Sequence, residues 1–214
     1  MLKFFRKNNK IIFIILTPLL AVGLVLSFTI WSAPSITNSN GNHQVKQGGP
    51  PVQQDDALVE ELTNIRRYEQ ALKANPDNHT MLIDLGNAAY DVGLKYFETQ
   101  QVENGIKYFN KAVEAYQNSL EIGEADPNVM TDLATAAMYS GQDQVAEEYF
   151  KKAIEMDDSH IYAKMNYGVF LANVKQDYAK AVEQWQKVVA ESTDPDLKSR
   201  AQTLISNAQA NSGQ

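Results

Sequence analysis

The stretch from Pro127 to His160, PNVMTDLATAAMYSGQDQVAEEYFKKAIEMDDSH, decides the fold. Its apolar residues recur every three or four positions, which is the spacing of one face of an α-helix. The pattern stops at Gly141-Gln142-Asp143 and resumes after it. The stretch therefore predicts two short helices joined by a tight turn. Its periodic positions are Met130, Leu133, Ala134 and Ala137 in the first helix, and Ala146, Tyr149, Phe150, Ala153 and Ile154 in the second.

The order of small and large residues in this stretch resembles the tetratricopeptide repeat, which has a period of 34 residues. Small residues allow two antiparallel helices to approach closely, and large ones fill the space between neighbouring pairs. One helix pair cannot bury both of its faces, so it needs copies on each side. The resemblance implies an all-α superhelix of three repeats with flanking cap helices. It depends on Leu133, Ala134, Ala137, Gly141, Ala146, Phe150 and Ala153.

The flanking sequence repeats the pattern with alterations. Gly86 and Ala112 match the small residues Ala134 and Ala146, but are 26 positions apart instead of 12. If the two helices share the extra residues equally, each gains almost two turns, and the pair projects from the array as a long hairpin. The predicted segments are an N-terminal half repeat at 55–76, repeats at 79–126, 127–160 and 161–193, and a C-terminal cap helix at 194–210.

The third repeat has one residue too many. Gly168 and Ala181 are 13 positions apart, which predicts one additional residue in the turn between its helices. Asp194-Pro195 then supplies a helix N-cap and a first-turn proline for the cap helix.

The N-terminus predicts a membrane anchor. Residues 1–10 contain four basic residues and no acid, and residues 11–31 contain no charge at all. As a helix, 21 residues span about 31 Å, which matches the hydrocarbon core of a bilayer. The apolar run exceeds that of a signal peptide, so an uncleaved anchor is favoured over a cleaved leader. Residues 32–54, rich in Ser, Asn, Gln, Gly and Pro, predict a flexible linker.

Charge predicts the orientation and limits the partners. Because the basic residues precede the span, we expect residues 1–10 in the cytoplasm and the repeats outside a cell membrane that the chain crosses once. The 15 basic and 26 acidic residues after residue 31 give a net charge of −11. Such a surface argues against nucleic-acid binding. The sequence leaves the oligomeric state open.

No motif predicts a cofactor or a metal site. The chain has no cysteine, which excludes thiolate ligands. Its three histidines, His43, His79 and His160, lie far apart in sequence without metal-ligand spacing. We therefore expect a protein that is not an enzyme. The alternative is an enzyme with an acid–base site, in which Asp84 or Asp132 lies beside a tyrosine.

The resemblance implies a binding groove lined by the first helix of each repeat. Family members that bind a C-terminal carboxylate use several basic residues there, but this chain has Asp84 and Asp132 at two of those places. The groove therefore predicts an extended or helical partner with hydrophobic anchors and, optionally, a basic residue. The alternative is that the large side chains only pack against neighbouring helices. The predicted contact residues are Ile83, Asn87, Tyr90, Thr135, Met138, Tyr139, Tyr162, Met165, Asn166 and Val169.

These observations predict a membrane-anchored scaffold or assembly factor that binds protein or peptide segments. Its architecture resembles that of anchored repeat modules in bacterial cytochrome c maturation and envelope assembly, so a role of that kind is expected. A secreted soluble module remains the alternative if the anchor is cleaved.

Overall fold

The computed structural model describes residues 56–212, and the regular structure of this range is entirely helical. This confirms the prediction of an all-α superhelix of helix pairs. Each helix packs on the next along the chain, and α4 also packs on α6. The helices are α1 (Asp56–Ala74), α2 (His79–Glu98), α3 (Val102–Ile122), α4 (Pro127–Ser140), α5 (Asp143–Met156), α6 (Ile161–Phe170), α7 (Tyr178–Glu191) and α8 (Pro195–Ser212).

The predicted N-terminal segments at 1–10, 11–31 and 32–54 lie outside the described residues. Within residues 56–212, none of the helices is long and apolar enough to cross a membrane.

Side-chain caps begin several of the helices. Asn78 accepts a hydrogen bond from the Met81 amide, and Asp126 accepts one from the amide of Asn128. The Asp194 carboxylate accepts hydrogen bonds from two amides in the first turn of α8. Each cap satisfies a backbone donor that lacks a partner within its own helix. The predicted cap at Asp194 is therefore present.

Gly141 forms the turn of the middle repeat. Its φ of 79° lies in the left-handed region, which glycine adopts without a steric penalty. The amide of Gln142 donates to the carbonyl oxygen of Ala137 at 2.8 Å, which closes the end of α4. The break predicted from the sequence is thus a left-handed helix cap.

The extra residue of the third repeat is accommodated at the C-terminal end of α6, and not only in the predicted turn. After Phe170, α6 widens into a π-helical turn at Leu171–Lys175. The Asp177 amide donates to the Leu171 carbonyl oxygen at 2.9 Å, and Gln176 has a φ of 57°. A π turn accommodates an inserted residue because its hydrogen bonds span five residues instead of four.

The first repeat contains the long helices that the sequence predicts. Helices α2 and α3 have 20 and 21 residues, against 14 in each of α4 and α5. The hairpin does not project alone, because α1 packs along α2. The side chain of Ile65 in α1 is only 4% exposed. Helix α1, which corresponds to the predicted N-terminal half repeat, therefore buries apolar surface against the hairpin.

Close helix approach is clearest in the third repeat. A Cβ atom on Gly168 would collide with the indole ring of Trp185. That indole is 2% exposed, and its Nε1 donates to the carbonyl oxygen of Met165 at 3.1 Å. Only glycine allows α6 and α7 to pack at this distance.

Candidate functional site

The predicted groove residues belong to α2, α4 and α6. Tyr162 is the most exposed aromatic residue among them, with 59% of its surface accessible. Asn87 is also exposed, and the other side chains that reach the surface are half-buried. The half-buried members of the predicted set are Ile83, Tyr90, Tyr139, Asn166 and Val169.

Three predicted contact residues lie in the apolar core instead. Thr135, Met138 and Met165 are 7%, 4% and 2% exposed. Met138 and Met165 belong to the main hydrophobic core, and Thr135 is hydrogen-bonded to Asn166 of α6. In this conformation Met138 and Met165 offer almost no surface to a partner. For these residues the structure favours packing, which was the alternative left open by the sequence.

Thr135 contributes indirectly by holding an amide on the groove. Its hydroxyl donates to the Thr131 carbonyl oxygen at 2.8 Å and accepts a hydrogen bond from Asn166 Nδ2 at 3.2 Å. The Asn166 side chain is therefore oriented by α4, although it belongs to α6.

An aromatic cluster fixes the two groove tyrosines. We define it as Tyr90, Phe97, Phe109 and Tyr139. The ring of Tyr139 stacks on Phe109 at a centroid distance of 4.9 Å, and Tyr90 meets the same ring edge-on at 5.5 Å. Phe97 contacts Phe109 at 5.0 Å and Tyr139 at 6.0 Å. Such pairs stabilise their geometry beyond the area they bury.

Phe97 and Phe109 are not among the predicted contact residues, because those follow the positions of a standard-length repeat; the apolar spacing predicts Phe109 only as part of the lengthened second helix. Phe97 lies in the added turns of α2, and Phe109 lies in α3 directly after its added turns. Their positions, seven residues after Tyr90 and three before Ala112, continue the apolar stripes of the two helices. That periodicity was the signal available in the sequence.

The exposed amide of Asn87 is held by a residue of α3. The Tyr116 hydroxyl donates to Asn87 Oδ1 at 2.7 Å, and Tyr116 is 1% exposed. With its oxygen engaged in this way, Asn87 presents its amide nitrogen, which is a donor only.

Asp132 is the electrostatically unusual residue of the groove. Its side chain is exposed, and nearby protein atoms partly desolvate the carboxylate. This desolvation, together with the negative charges of Asp126 and Asp91, raises the pKa of Asp132 to about 6. The pKa of Asp91 is raised as well, first by burial and then by Glu61. This part of the groove therefore favours positive charge.

The neighbouring tyrosines do not support the acid–base alternative. Burial and the nearby carboxylates raise the pKa values of Tyr90 and Tyr116 far above neutral pH. Such hydroxyls stay protonated and are poorly matched to proton transfer at neutral pH. Among residues 56–212, no group of three or more His, Asp or Glu side chains could hold a metal ion.

The two histidines of the described range lie at separate joints between repeats. His79 Nδ1 is 2.9 Å from the carbonyl oxygen of Ser119, and His160 Nε2 is 3.4 Å from the hydroxyl of Thr131. Each bridges the start of one helix to a different helix, which is a structural role.

The comparisons with known proteins agree with this class of fold. A family model described as Tetratricopeptide repeat matches residues 84–159, and a second model of the same description matches residues 131–196. The two matches overlap in the middle repeat and together run from residue 84 to residue 196. The chain therefore contains tetratricopeptide repeats, as the sequence predicted. Repeats of this kind are typically interaction modules without catalytic activity.

Solved structures of related architecture include two crystal structures of MamA. One has a TM-score of 0.55 and 22% identity, and covers 74% of this chain and 80% of its own. The other has a TM-score of 0.51 and 18% identity, and covers 76% and 97%. At such identities the likeness shows the fold alone.

A structure of YrrB, described as a TPR protein with an unusual peptide-binding site, has a TM-score of 0.38 and 20% identity over 69% of this chain and 86% of its own. That score is too low to bear on this chain. No curated protein matches the sequence.

Proposed function

We propose that this chain is a membrane-anchored scaffold or assembly factor whose repeats bind protein or peptide segments in the groove. The observation that carries the proposal is the exposure of Tyr162, 59%, on a face that otherwise combines half-buried aromatic rings with oriented amides. A large, stiff ring with one polar tip is a favourable anchor for a partner. The amides of Asn87 and Asn166 are positioned to bind backbone or side-chain groups of a bound segment.

The arrangement supports an adaptable protein partner better than a small-molecule substrate. The groove side chains come from three successive repeats, so a ligand that contacts all of them has to be extended along the array. Peptide segments, bound through side-chain anchors and main-chain hydrogen bonds, have this form.

The groove is tested by site-specific photo-crosslinking. A photoreactive phenylalanine at position 162 should crosslink to a partner in cells, and the same group at Glu183, exposed on α7, should not. Tyr162→Ala should then weaken binding of the captured partner by about 1–2 kcal/mol, roughly tenfold. Its stability should change by less than about 0.5 kcal/mol, since the side chain is exposed.

Met165→Ala is the matched control for that experiment. Because Met165 is 2% exposed, its truncation should cost about 2–5 kcal/mol of unfolding free energy. Equal crosslinking at positions 162 and 183, or an unchanged affinity in Tyr162→Ala, would contradict the proposed site.

The anchor and the orientation are part of the same proposal. Four basic residues precede the uncharged residues 11–31, and none follows until Lys46. This asymmetry supports a cytoplasmic N-terminus and an extracytoplasmic array. A reporter that fluoresces only in the cytoplasm should be bright when fused before Met1 and dark when fused after Gln214. A bright C-terminal fusion would reverse the orientation.

An extracytoplasmic scaffold next to a membrane suits a role in cytochrome c maturation or envelope assembly. We include this role in the proposal on the likeness of architecture, since an anchored array holds its partner close to a membrane machine. The partner identified by the crosslink at position 162 decides between the two roles.

A further inference from the structure

A cleft of about 340 Å³ lies between α1 and α3, and two residues of α2 also line it. Its volume is at the lower end of the range of ligand-binding clefts. None of the residues that line it belongs to the predicted groove set, so the cleft is a separate feature of the surface. Its lining combines apolar and charged side chains, and none of the charged ones is buried.

The buried residues that line the cleft are all apolar. They are Leu82 and Leu85 of α2 and Ala115 of α3, and Leu72 of α1 is half-buried beside them. Water forms few hydrogen bonds against such a surface, so an apolar group that displaces it is favoured. The deep part of the cleft therefore accepts an apolar side chain.

One ion pair bridges the two walls of the cleft. The Lys111 ammonium on α3 contacts the Glu69 carboxylate on α1. Short turns join α1 to α2 and α2 to α3, so successive helices are antiparallel and α1 and α3 run in the same direction. One helical turn beyond this ion pair, the walls therefore present the next matching pair of charges, which are Lys73 and Glu114.

This second pair of charges is not bridged. Lys73 and Glu114 both line the cleft and are exposed, but neither forms a hydrogen bond or an ion pair within residues 56–212. Helix α1 ends at Ala74, directly after this lysine, and Pro76 in the following turn also lines the cleft. The two walls thus offer a positive and a negative charge that a bound molecule can bridge.

We propose that the cleft is a second docking site, for a peptide segment of a partner protein with one apolar residue flanked on one side by an acidic and on the other by a basic residue. The apolar side chain occupies the cleft, the acidic one pairs with Lys73, and the basic one pairs with Glu114. Exposed ion pairs are individually weak, so the apolar anchor supplies most of the affinity and the charges select the sequence around it. This inference does not rest on the proposed function, because no groove residue takes part.

Because the chain contains no cysteine, a single introduced cysteine directs the test to the cleft. Asn118→Cys places it on the exposed part of the lining, and Glu183→Cys places it on the exposed surface of α7 as the control. Each full-chain variant is equilibrated with an equimolar mixture of short peptides that end in cysteine, under weakly reducing conditions that allow disulfide exchange. The peptides vary in their central residue, apolar or serine, and in the charges that flank it. Mass spectrometry of the intact protein identifies the captured peptides.

The Asn118→Cys chain should capture peptides with an apolar residue between opposite charges about fivefold more than the serine or uncharged peptides. The Glu183→Cys chain should capture all peptides alike. Adding Lys73→Met to Asn118→Cys should remove only the preference for an acidic flank, and adding Glu114→Gln should remove only the preference for a basic one. Both charged side chains are exposed, so these variants should fold like their parent, which circular dichroism checks.

Capture of the same peptides at positions 118 and 183 would overturn the docking site. Enrichment of the serine peptides at position 118 would do so too, as would charge preferences that persist in Lys73→Met and Glu114→Gln. A salt titration of the Asn118→Cys chain needs no change at the charged positions. The charge preferences should weaken towards about 1 M salt, where the Debye length falls to about 3 Å, and preferences that stay constant would also overturn the inference.

Discussion

The first and second repeats bury their cores in different ways. In the second repeat, helices of 14 residues approach through alanines, of which Ala134, Ala137 and Ala146 are completely buried. In the first, helices of 20 and 21 residues extend beyond their neighbour, and the added turns are filled by Phe97 and Phe109. A standard repeat buries its outer apolar face against the next repeat. The extended repeat is covered by a third helix, α1, and its rings pack with Tyr139 of the second repeat.

The largest difference between the two repeats should appear on truncating their central phenylalanines. Phe109 and Phe150 are both 0% exposed, but Phe109 has three aromatic neighbours within 5.5 Å, while those of Phe150 lie at 5.8 and 6.0 Å. Each alanine variant should lose about 3–5 kcal/mol of unfolding free energy, with Phe109→Ala the more destabilised. Urea denaturation measures both. A smaller loss in Phe109→Ala would show that the extended repeat does not depend on its rings.

The close packing of α6 on α7 should be the next most sensitive to substitution. Gly168→Leu forces a side chain into the space of Trp185 and should cost about 1–3 kcal/mol or more. The control, Gly49→Leu, changes the predicted linker and should leave the melting temperature of the array unchanged. Two variants that both melt like the wild type would contradict the helix register of the third repeat.

The smallest effect on stability concerns Asp132, and its size depends on pH. The folded protein raises the pKa of this carboxyl from 3.8 to about 6, so ionisation opposes folding above pH 6 and has no effect below about 3.8. Because the side chain is exposed, Asp132→Asn should stabilise the protein at pH 8 by at most about 1 kcal/mol.

That gain should shrink as the pH falls towards 4, where the wild-type carboxyl is protonated in the folded state. Melting temperatures from pH 4 to pH 8 measure it, with Glu183→Gln as the control for net charge. A variant that is less stable than the wild type at pH 8 would show that Asp132 is compensated by a group inside the protein.

The sequence determined the helical repeats because their signals are local. Apolar spacing in Pro127–His160 specifies the two helix faces, and Gly141 specifies the turn by its backbone conformation. The extra residues between Gly86 and Ala112 likewise required longer helices, since an inserted number of turns keeps both faces aligned. The same periodicity predicts that Tyr90, Tyr139 and Tyr162 lie on the groove face.

Only the tertiary structure decided how deeply each residue is buried. Met165 and Tyr162 lie three positions apart on α6, yet one is 2% exposed and the other 59%. That difference depends on how closely α4 approaches α6, and therefore on packing between residues of two repeats. Such packing joins segments that are distant in sequence, and the spacing within one helix does not record it.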